Sequence, residues 1–147
     1  MRAEKIKTLT ELAAILERER SAGKSIVHCH GVIDLLHVGH IRHLEAARKL
    51  GDVLVVTVTP DRWVNKGPHR PAFTEQLRAE ALASLECVDY VALNEWPTAV
   101  ETIRLLRPDF YVKGKAREAG PRDHTDAIVQ EEEAVRAVGG RIHFTDE

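Results

Sequence analysis

The chain has 147 residues, of which 44% are hydrophobic and 30% are charged, and its formal net charge at pH 7 is −2. This length is enough for one domain with a core, and the near-neutral charge argues against binding to nucleic acid through bulk attraction to phosphates. The sequence lacks the run of about 20 apolar residues that crosses a bilayer, and its charged N-terminal segment lacks the apolar core of a secretion signal. We therefore expect a cytoplasmic protein that acts without a membrane or nucleic-acid partner and keeps both cysteines as reduced thiols.

Hydrophobic periodicity predicts helices that alternate with short apolar strands along the chain. Helices are predicted at 9–22, 40–51, 74–86, 98–107 and 126–140. Strands are predicted at 25–30, 52–60, 89–95, 109–114 and 141–146. This alternation is typical of a single α/β domain of Rossmann-like type, with a five-stranded parallel sheet and helices on both faces. Within it, residues 1–24 are expected to form an N-terminal helical extension and residues 25–147 the functional domain.

Three loops follow predicted strands, at 31–40, 61–73 and 113–125. In a parallel sheet such loops meet at the carboxyl ends of the strands, where ligands bind. The second and third loops are rich in lysine and arginine, which suits a small anionic ligand, although solvated surface loops have the same composition.

The first of these loops, "GVIDLLHVGH", places two histidines three residues apart at a predicted strand-to-helix turn. Gly31 ends the strand where the backbone turns and a ligand can approach closely. The first amides of the following helix and its dipole favour an anion, and His37 and His40 lie on one face of its first turn. Gly39 between them is expected to keep the surface open for a flat base or sugar. The motif therefore predicts a phosphate site.

Other histidine patterns in this region are less informative. A metal site built from His37, His40 and Asp34 lacks further carboxylate or thiolate ligands, so no metal site is predicted from it. His28 and His30 point to the same side of the first strand and are expected to be packed residues, and His43 is expected on the exposed face of the helix.

Four segments of the sequence resemble a known family. They are "GVIDLLHVGHIRHLEAARKLGD", "VTPDRWVNKGPHRP", "EQLRAEALASLECVDYV" and "RPDFYVKGK". Together they are similar to the cytidylyltransferase-like nucleotidyltransferases with an HxGH signature, most of all to the adenylyltransferase domain of ADP-heptose synthases and next to glycerol-3-phosphate cytidylyltransferase. The similarity runs from about residue 25 to residue 146.

The resemblance implies transfer of a nucleotidyl group from ATP or CTP to a sugar phosphate resembling heptose 1-phosphate, with release of pyrophosphate. It implies that His37 and His40 hold the triphosphate, that Lys66 neutralises charge between acceptor and triphosphate, and that Arg78 grips phosphates. The resemblance further implies a nucleotide-binding set and a Mg²⁺ ion that arrives with the triphosphate. The nucleotide-binding set comprises Gly31, Val32, Ile33, Asp34, Gly39, Asp61, Lys113 and Gly114. Asp34 is expected to brace the turn, and Ile33 stands where the family usually has phenylalanine.

The family continues into a serine- and threonine-rich signature that this sequence does not reach, so we expect a chain truncated before it. Related domains occur fused to a sugar kinase and commonly form homodimers, and both are expected of the parent protein. The alternatives are a glycerol-3-phosphate or other polyol-phosphate cytidylyltransferase and a catalytically incomplete nucleotide-binding module. A dinucleotide-dependent oxidoreductase is disfavoured because no GxGxxG follows the first strand.

Overall fold

Five parallel strands form one twisted sheet in the computed structural model, which describes residues 2–64, 71–114 and 123–146. The strands are β1 (Ile26–Gly31), β2 (Val53–Val58), β3 (Tyr90–Leu93), β4 (Phe110–Gly114) and β5 (Arg141–Thr145). Their order across the sheet is β3-β2-β1-β4-β5, and every neighbouring pair is parallel. The chain therefore winds outward from β1 in one direction and then in the other, and the switch point lies between β1 and β4.

Helices cover both faces of the sheet, which confirms the predicted fold class. They are α1 (Leu9–Ser21), α2 (Val38–Arg48), α3 (Glu75–Ala83), α4 (Val100–Leu106) and α5 (Asp123–Ala137). Helices α2 and α3 pack on one face, against β-branched residues such as Val27 and Val56. Helices α1, α4 and α5 pack on the other, around residues such as Val55 and Tyr111.

Local sequence signals start and stop these helices close to where they were predicted. The Thr8 hydroxyl caps α1 by accepting the Glu11 N–H, and the Glu11 carboxylate accepts the Thr8 N–H in return, which forms a capping box. The Thr74 hydroxyl caps α3 by accepting the Leu77 N–H, without a reciprocal bond. Helix α4 ends at Arg107, which has a left-handed φ of 53° and directly precedes a proline that cannot continue a helix.

The first helix is part of the main packing of the sheet. Leu9, Leu12 and Leu16 repeat at helical spacing and are almost fully buried against Ile26 and Val53. Removing these side chains from water stabilises the fold by roughly 2 kcal/mol each. The N-terminal segment thus closes one face of the sheet.

The central strand β1 and its neighbour β4 separate toward their carboxyl ends. Strands β1 and β4 pair at Val27–Phe110 and at His28–Tyr111, and beyond these pairs a cavity opens between them. Both cysteines are unpaired thiols. Within the described ranges, no helix is long and apolar enough to cross a membrane.

Candidate active site

The cavity at the switch point is the centre of the candidate site. It has a volume of about 250 Å³ and lies between the ends of β1 and β4, beneath the first turn of α2. Its floor is apolar and its rim carries imidazole rings and glycines, as expected of a ligand pocket in this position. The lining residues are Cys29, His30, Gly31, Ile33, His37, Gly39, His40, His43, Leu44, Val112, Lys113 and Gly114.

The two histidines of the HxGH motif form the start of α2. His37 is the N-cap residue, and its Nδ1 accepts the Gly39 N–H at 3.0 Å. The Nδ1 of His40 accepts the His37 N–H at 3.3 Å. The ring centroids lie 4.0 Å apart with the planes inclined by 31°. Two histidines thus build a capping box, the arrangement usually made by a hydroxyl residue and a glutamate.

This capping arrangement determines where each ring carries its proton. Because Nδ1 accepts an N–H in both His37 and His40, the proton of the neutral ring is on Nε2. Each ring therefore presents an N–H donor at the positive end of the α2 dipole. The amides of His37 and Gly39 were expected to be free for a ligand, but the imidazoles bind them, so these rings replace those two amides as donors.

Gly39 is required for a reason that differs from the one expected. A Cβ at this position would lie 2.8 Å from Cε1 and 3.1 Å from Nδ1 of His37. The space above Gly39 is therefore occupied by the His37 ring itself, and is not left open for a base or sugar. The glycine allows the ring to fold back over the helix start.

The turn that leads from β1 to α2 is strained. Ile33 has a φ of 48°, which is unfavourable for a β-branched side chain and costs about 1–3 kcal/mol. The Asp34 carboxylate accepts the Ala72 N–H at 2.7 Å and the Phe73 N–H at 3.0 Å. Asp34 thereby ties the strained turn to the segment that enters α3.

Arg78 lies beside this turn and is buried. Its guanidinium donates to the Val32 and Thr59 carbonyls at 2.8 Å each and to the Phe73 carbonyl at 3.1 Å. It also forms an ion pair with Asp61, with Nη2 and Oδ1 2.7 Å apart. The expected grip of Arg78 on ligand phosphates stays a prediction, because in this conformation the side chain binds protein groups.

Lys113 contributes to the cavity wall while its ammonium is directed into the protein. Nζ lies 2.9 Å from Oε1 of Glu131, and both side chains are about 95% buried. The Tyr111 hydroxyl donates to the same carboxylate oxygen at 3.0 Å. A buried pair with a further hydrogen bond is costly to break by removal of one partner.

The structure brings most of the predicted site residues into two adjacent groups. The cavity group contains Gly31, Ile33, His37, Gly39, His40, Lys113 and Gly114. The hydrogen-bonded group beside it contains Val32, Asp34, Asp61 and Arg78. Lys66 lies outside the described residues, so its position in the site stays a prediction.

Sequence reasoning placed His43 on the exposed face of α2, and this was wrong. His43 is half-buried, lines the cavity, and hydrogen-bonds through Nδ1 to the Thr145 hydroxyl at 2.7 Å. The signal that could have found it is spacing, because positions 37, 40 and 43 follow one face of a helix.

A second polar group extends from the cavity, where His30 lines it, into the sheet. The Thr57 hydroxyl bridges Nε2 of His28 at 2.7 Å and Nδ1 of His30 at 2.8 Å. Nδ1 of the fully buried His28 has no hydrogen-bond partner among the described residues. Burial, assisted by the charge of Lys113, lowers the pKa of His28 to about 3. His28 is therefore a packed residue, as expected, whereas His30 is only partly buried and lines the cavity.

Comparison with known proteins agrees with this geometry. A family model described as cytidylyltransferase-like matches residues 28–140. The chain is 42% identical over 144 residues to the bifunctional protein HldE of Syntrophotalea carbinolica and 44% identical over 142 residues to that of Citrifermentans bemidjiense. These alignments cover 97% and 95% of the chain but 28% of each relative, so the chain spans little more than a quarter of their length.

Solved structures share the fold. A lipopolysaccharide core biosynthesis protein from Thermoplasma volcanium superposes with a TM-score of 0.65 at 28% identity, covering 83% of this chain and 94% of that one. A pantoate-beta-alanine ligase from Francisella tularensis superposes with a TM-score of 0.63 at 15% identity, covering 95% of this chain and 66% of that one; this likeness concerns the fold alone. With a family match over most of its length and the HxGH histidines at the switch point of the sheet, the chain belongs to the cytidylyltransferase-like family.

Proposed function

We propose that the chain is a nucleotidyltransferase that moves a nucleotidyl group from ATP or CTP to a sugar phosphate resembling heptose 1-phosphate. The observation that carries the proposal is the pair of imidazole rings of His37 and His40, held through Nδ1 at the start of α2 above a cavity at the switch point. Support for the acceptor comes from the names of the HldE relatives and of the lipopolysaccharide core biosynthesis protein.

The proposed chemistry needs no nucleophile from the protein. A phosphate oxygen of the acceptor attacks the α-phosphorus in line, a new P–O bond forms, and the bond between the α-phosphorus and the bridging oxygen breaks as pyrophosphate leaves. Negative charge builds on the phosphate oxygens during this step. His37 and His40 stabilise it from fixed positions, and removal of one such donor typically costs about two powers of ten in rate. Lys66 is proposed to neutralise charge between the two substrates.

Mg²⁺ is proposed to accompany the triphosphate. The described residues contain no group of three or more histidine, cysteine or acidic side chains that could hold a metal, which fits an ion bound chiefly by phosphate oxygens and water. Asp61 is the acidic residue beside the site that could contact it, since its carboxylate is 38% exposed despite the ion pair with Arg78. The bound ion would supply charge neutralisation on the leaving pyrophosphate.

The wider biology is proposed from the same relatives. Because the relatives are bifunctional and much longer than this chain, we place it in a polypeptide that also carries a sugar kinase. We further propose that the protein is cytoplasmic and that it works as a homodimer.

The decisive test is a matrix of the four ribonucleoside triphosphates against sugar and polyol phosphates with Mg²⁺, read by pyrophosphate release. We expect release with ATP or CTP and an aldose 1-phosphate, and release with glycerol 3-phosphate would favour the polyol-phosphate alternative. Tight nucleotide binding without release from any pair would contradict the proposal and favour a binding module.

Variants connect that activity to the site. His40→Ala is expected to lower kcat about 100-fold and to lower the thermal unfolding temperature by only about 3 °C, because it removes one capping hydrogen bond. His143→Ala is the matched control, because this imidazole is exposed on β5 outside the cavity. Equal activity of the two variants would remove His40 from the mechanism.

A further inference from the structure

A single guanidinium joins three separate segments around the candidate site. Arg78 binds the carbonyl of Val32 in the turn after β1, the carbonyl of Thr59 and the carboxylate of Asp61 after β2, and the carbonyl of Phe73 before α3. Four of its five N–H donors are thus used by protein acceptors, and its side chain has no exposed surface.

The segment that Arg78 holds is also the strained one. Ile33, with its left-handed φ of 48°, directly follows the Val32 carbonyl that Arg78 binds. On its other side, Asp34 is bound by two backbone amides. Contacts on both sides of Ile33 therefore keep it in a conformation that a β-branched residue avoids when it is unconstrained.

The strained turn determines where the phosphate-binding histidines lie. Ile33 lines the cavity together with Gly31, and His37 begins α2 four residues later. A relaxed Ile33 would redirect the chain entering α2 and shift both imidazoles relative to the cavity. A displacement of about 1 Å in such a group can reduce turnover about 100-fold.

We propose that Arg78 is a positioning residue that holds the Val32–Asp34 turn in its strained form and thereby places His37 and His40. The inference rests on the proposed nucleotidyl transfer and deepens it. It differs from direct phosphate binding by Arg78, because here the guanidinium acts through the backbone of the turn and a ligand phosphate does not displace its protein acceptors.

The proposal is tested by a double-mutant cycle with Arg78→Met and Ile33→Gly. Arg78→Met is expected to lower kcat about 100-fold without a matching rise in KM for the triphosphate. Glycine adopts a left-handed φ without penalty, so adding Ile33→Gly is expected to restore kcat about tenfold relative to Arg78→Met. The Ile33→Gly single variant provides the baseline for this coupling.

Direct phosphate binding by Arg78 gives a different pattern. It predicts that Arg78→Met raises KM for the triphosphate and that Ile33→Gly fails to restore activity, and this result would overturn the proposal. Arg48→Met is the matched control, since Arg48 also binds a carbonyl and a carboxylate, those of Gly51 and Asp89, away from the cavity. If Arg78→Met does not fold, Arg78→Lys replaces it in the same cycle.

A spectroscopic readout separates this proposal from the proposed function. In proton NMR, Arg78→Met is expected to shift the ring Hε1 signals of His37 and His40, and Ile33→Gly is expected to move them back toward their original positions. These shifts need no turnover, so they test Arg78 even if no pyrophosphate is released. Ring signals that stay unmoved in Arg78→Met would refute the positioning role.

Discussion

Gly39→Ala should lower the activity of this protein strongly while changing its stability little. The new Cβ would lie 2.8 Å from Cε1 of His37, so the ring must move away. Nδ1 of His37 then loses the hydrogen bond that it accepts from the Gly39 N–H at 3.0 Å in the parent protein. Loss of this cap costs about 1 kcal/mol of stability, while alanine in place of glycine within a helix returns up to about 1 kcal/mol. The free energy of unfolding should therefore change by less than about 1 kcal/mol.

The effect of the same change on catalysis should be much larger. In the proposed reaction, a displaced His37 ring no longer presents its Nε2–H to the triphosphate, and one lost donor raises the barrier by about 3 kcal/mol, or about two powers of ten in kcat. The assay is pyrophosphate release with the best substrate pair, combined with urea unfolding of the same preparations. Val38→Ala is the control, because this 58% exposed side chain precedes Gly39 in the same helical turn. The reasoning is refuted if Gly39→Ala keeps kcat within about threefold of the parent, or if its activity and stability fall together.

Two further predictions concern buried ionisable side chains. Burial lowers the pKa of His28 to about 3. Below about pH 6.5 the unfolded chain therefore binds a proton that the folded chain does not bind, so the free energy of unfolding decreases as the pH is lowered from about 6.5 toward 3. His28→Phe should reduce the stability loss between pH 7 and pH 5 by about 2 kcal/mol in urea unfolding, and equal losses in both proteins would contradict this. Lys113→Met leaves Glu131 buried without its ammonium and should cost about 3 kcal/mol, most of which Lys113→Met/Glu131→Gln should recover. A double variant as unstable as the single variant would show that the charge of Glu131 is not the cause.

The fold was predictable from the sequence because its determinants are local. Strands of four to six residues rich in β-branched side chains alternate with helices along the chain, and this alternation leaves a doubly wound parallel sheet as the expected arrangement. The strand-to-helix turn that places His37 and His40 side by side was predictable for the same reason, since His37, Gly39 and His40 are neighbours in sequence.

Contacts between distant segments were not predictable in this way. His43 was assigned to the surface, yet it meets Thr145, a residue 102 positions later in the chain. The resemblance placed Lys113 in the nucleotide pocket, and it does line the cavity, but the pairing of its ammonium with Glu131 of α5 could not be foreseen. Periodicity within one helix or strand carries no information about which element packs against it.

By itself, the sequence determined the order of elements along the chain and the histidine pair, because each depends on backbone propensity and on residues within one turn of each other. Tertiary structure alone decided that Gly39 makes room for the His37 ring, that Ile33 is strained, and that Arg78 is enclosed by three backbone segments. The physical reason is that a buried guanidinium needs acceptors from every side, and here these acceptors come from residues 5 to 46 positions away along the chain.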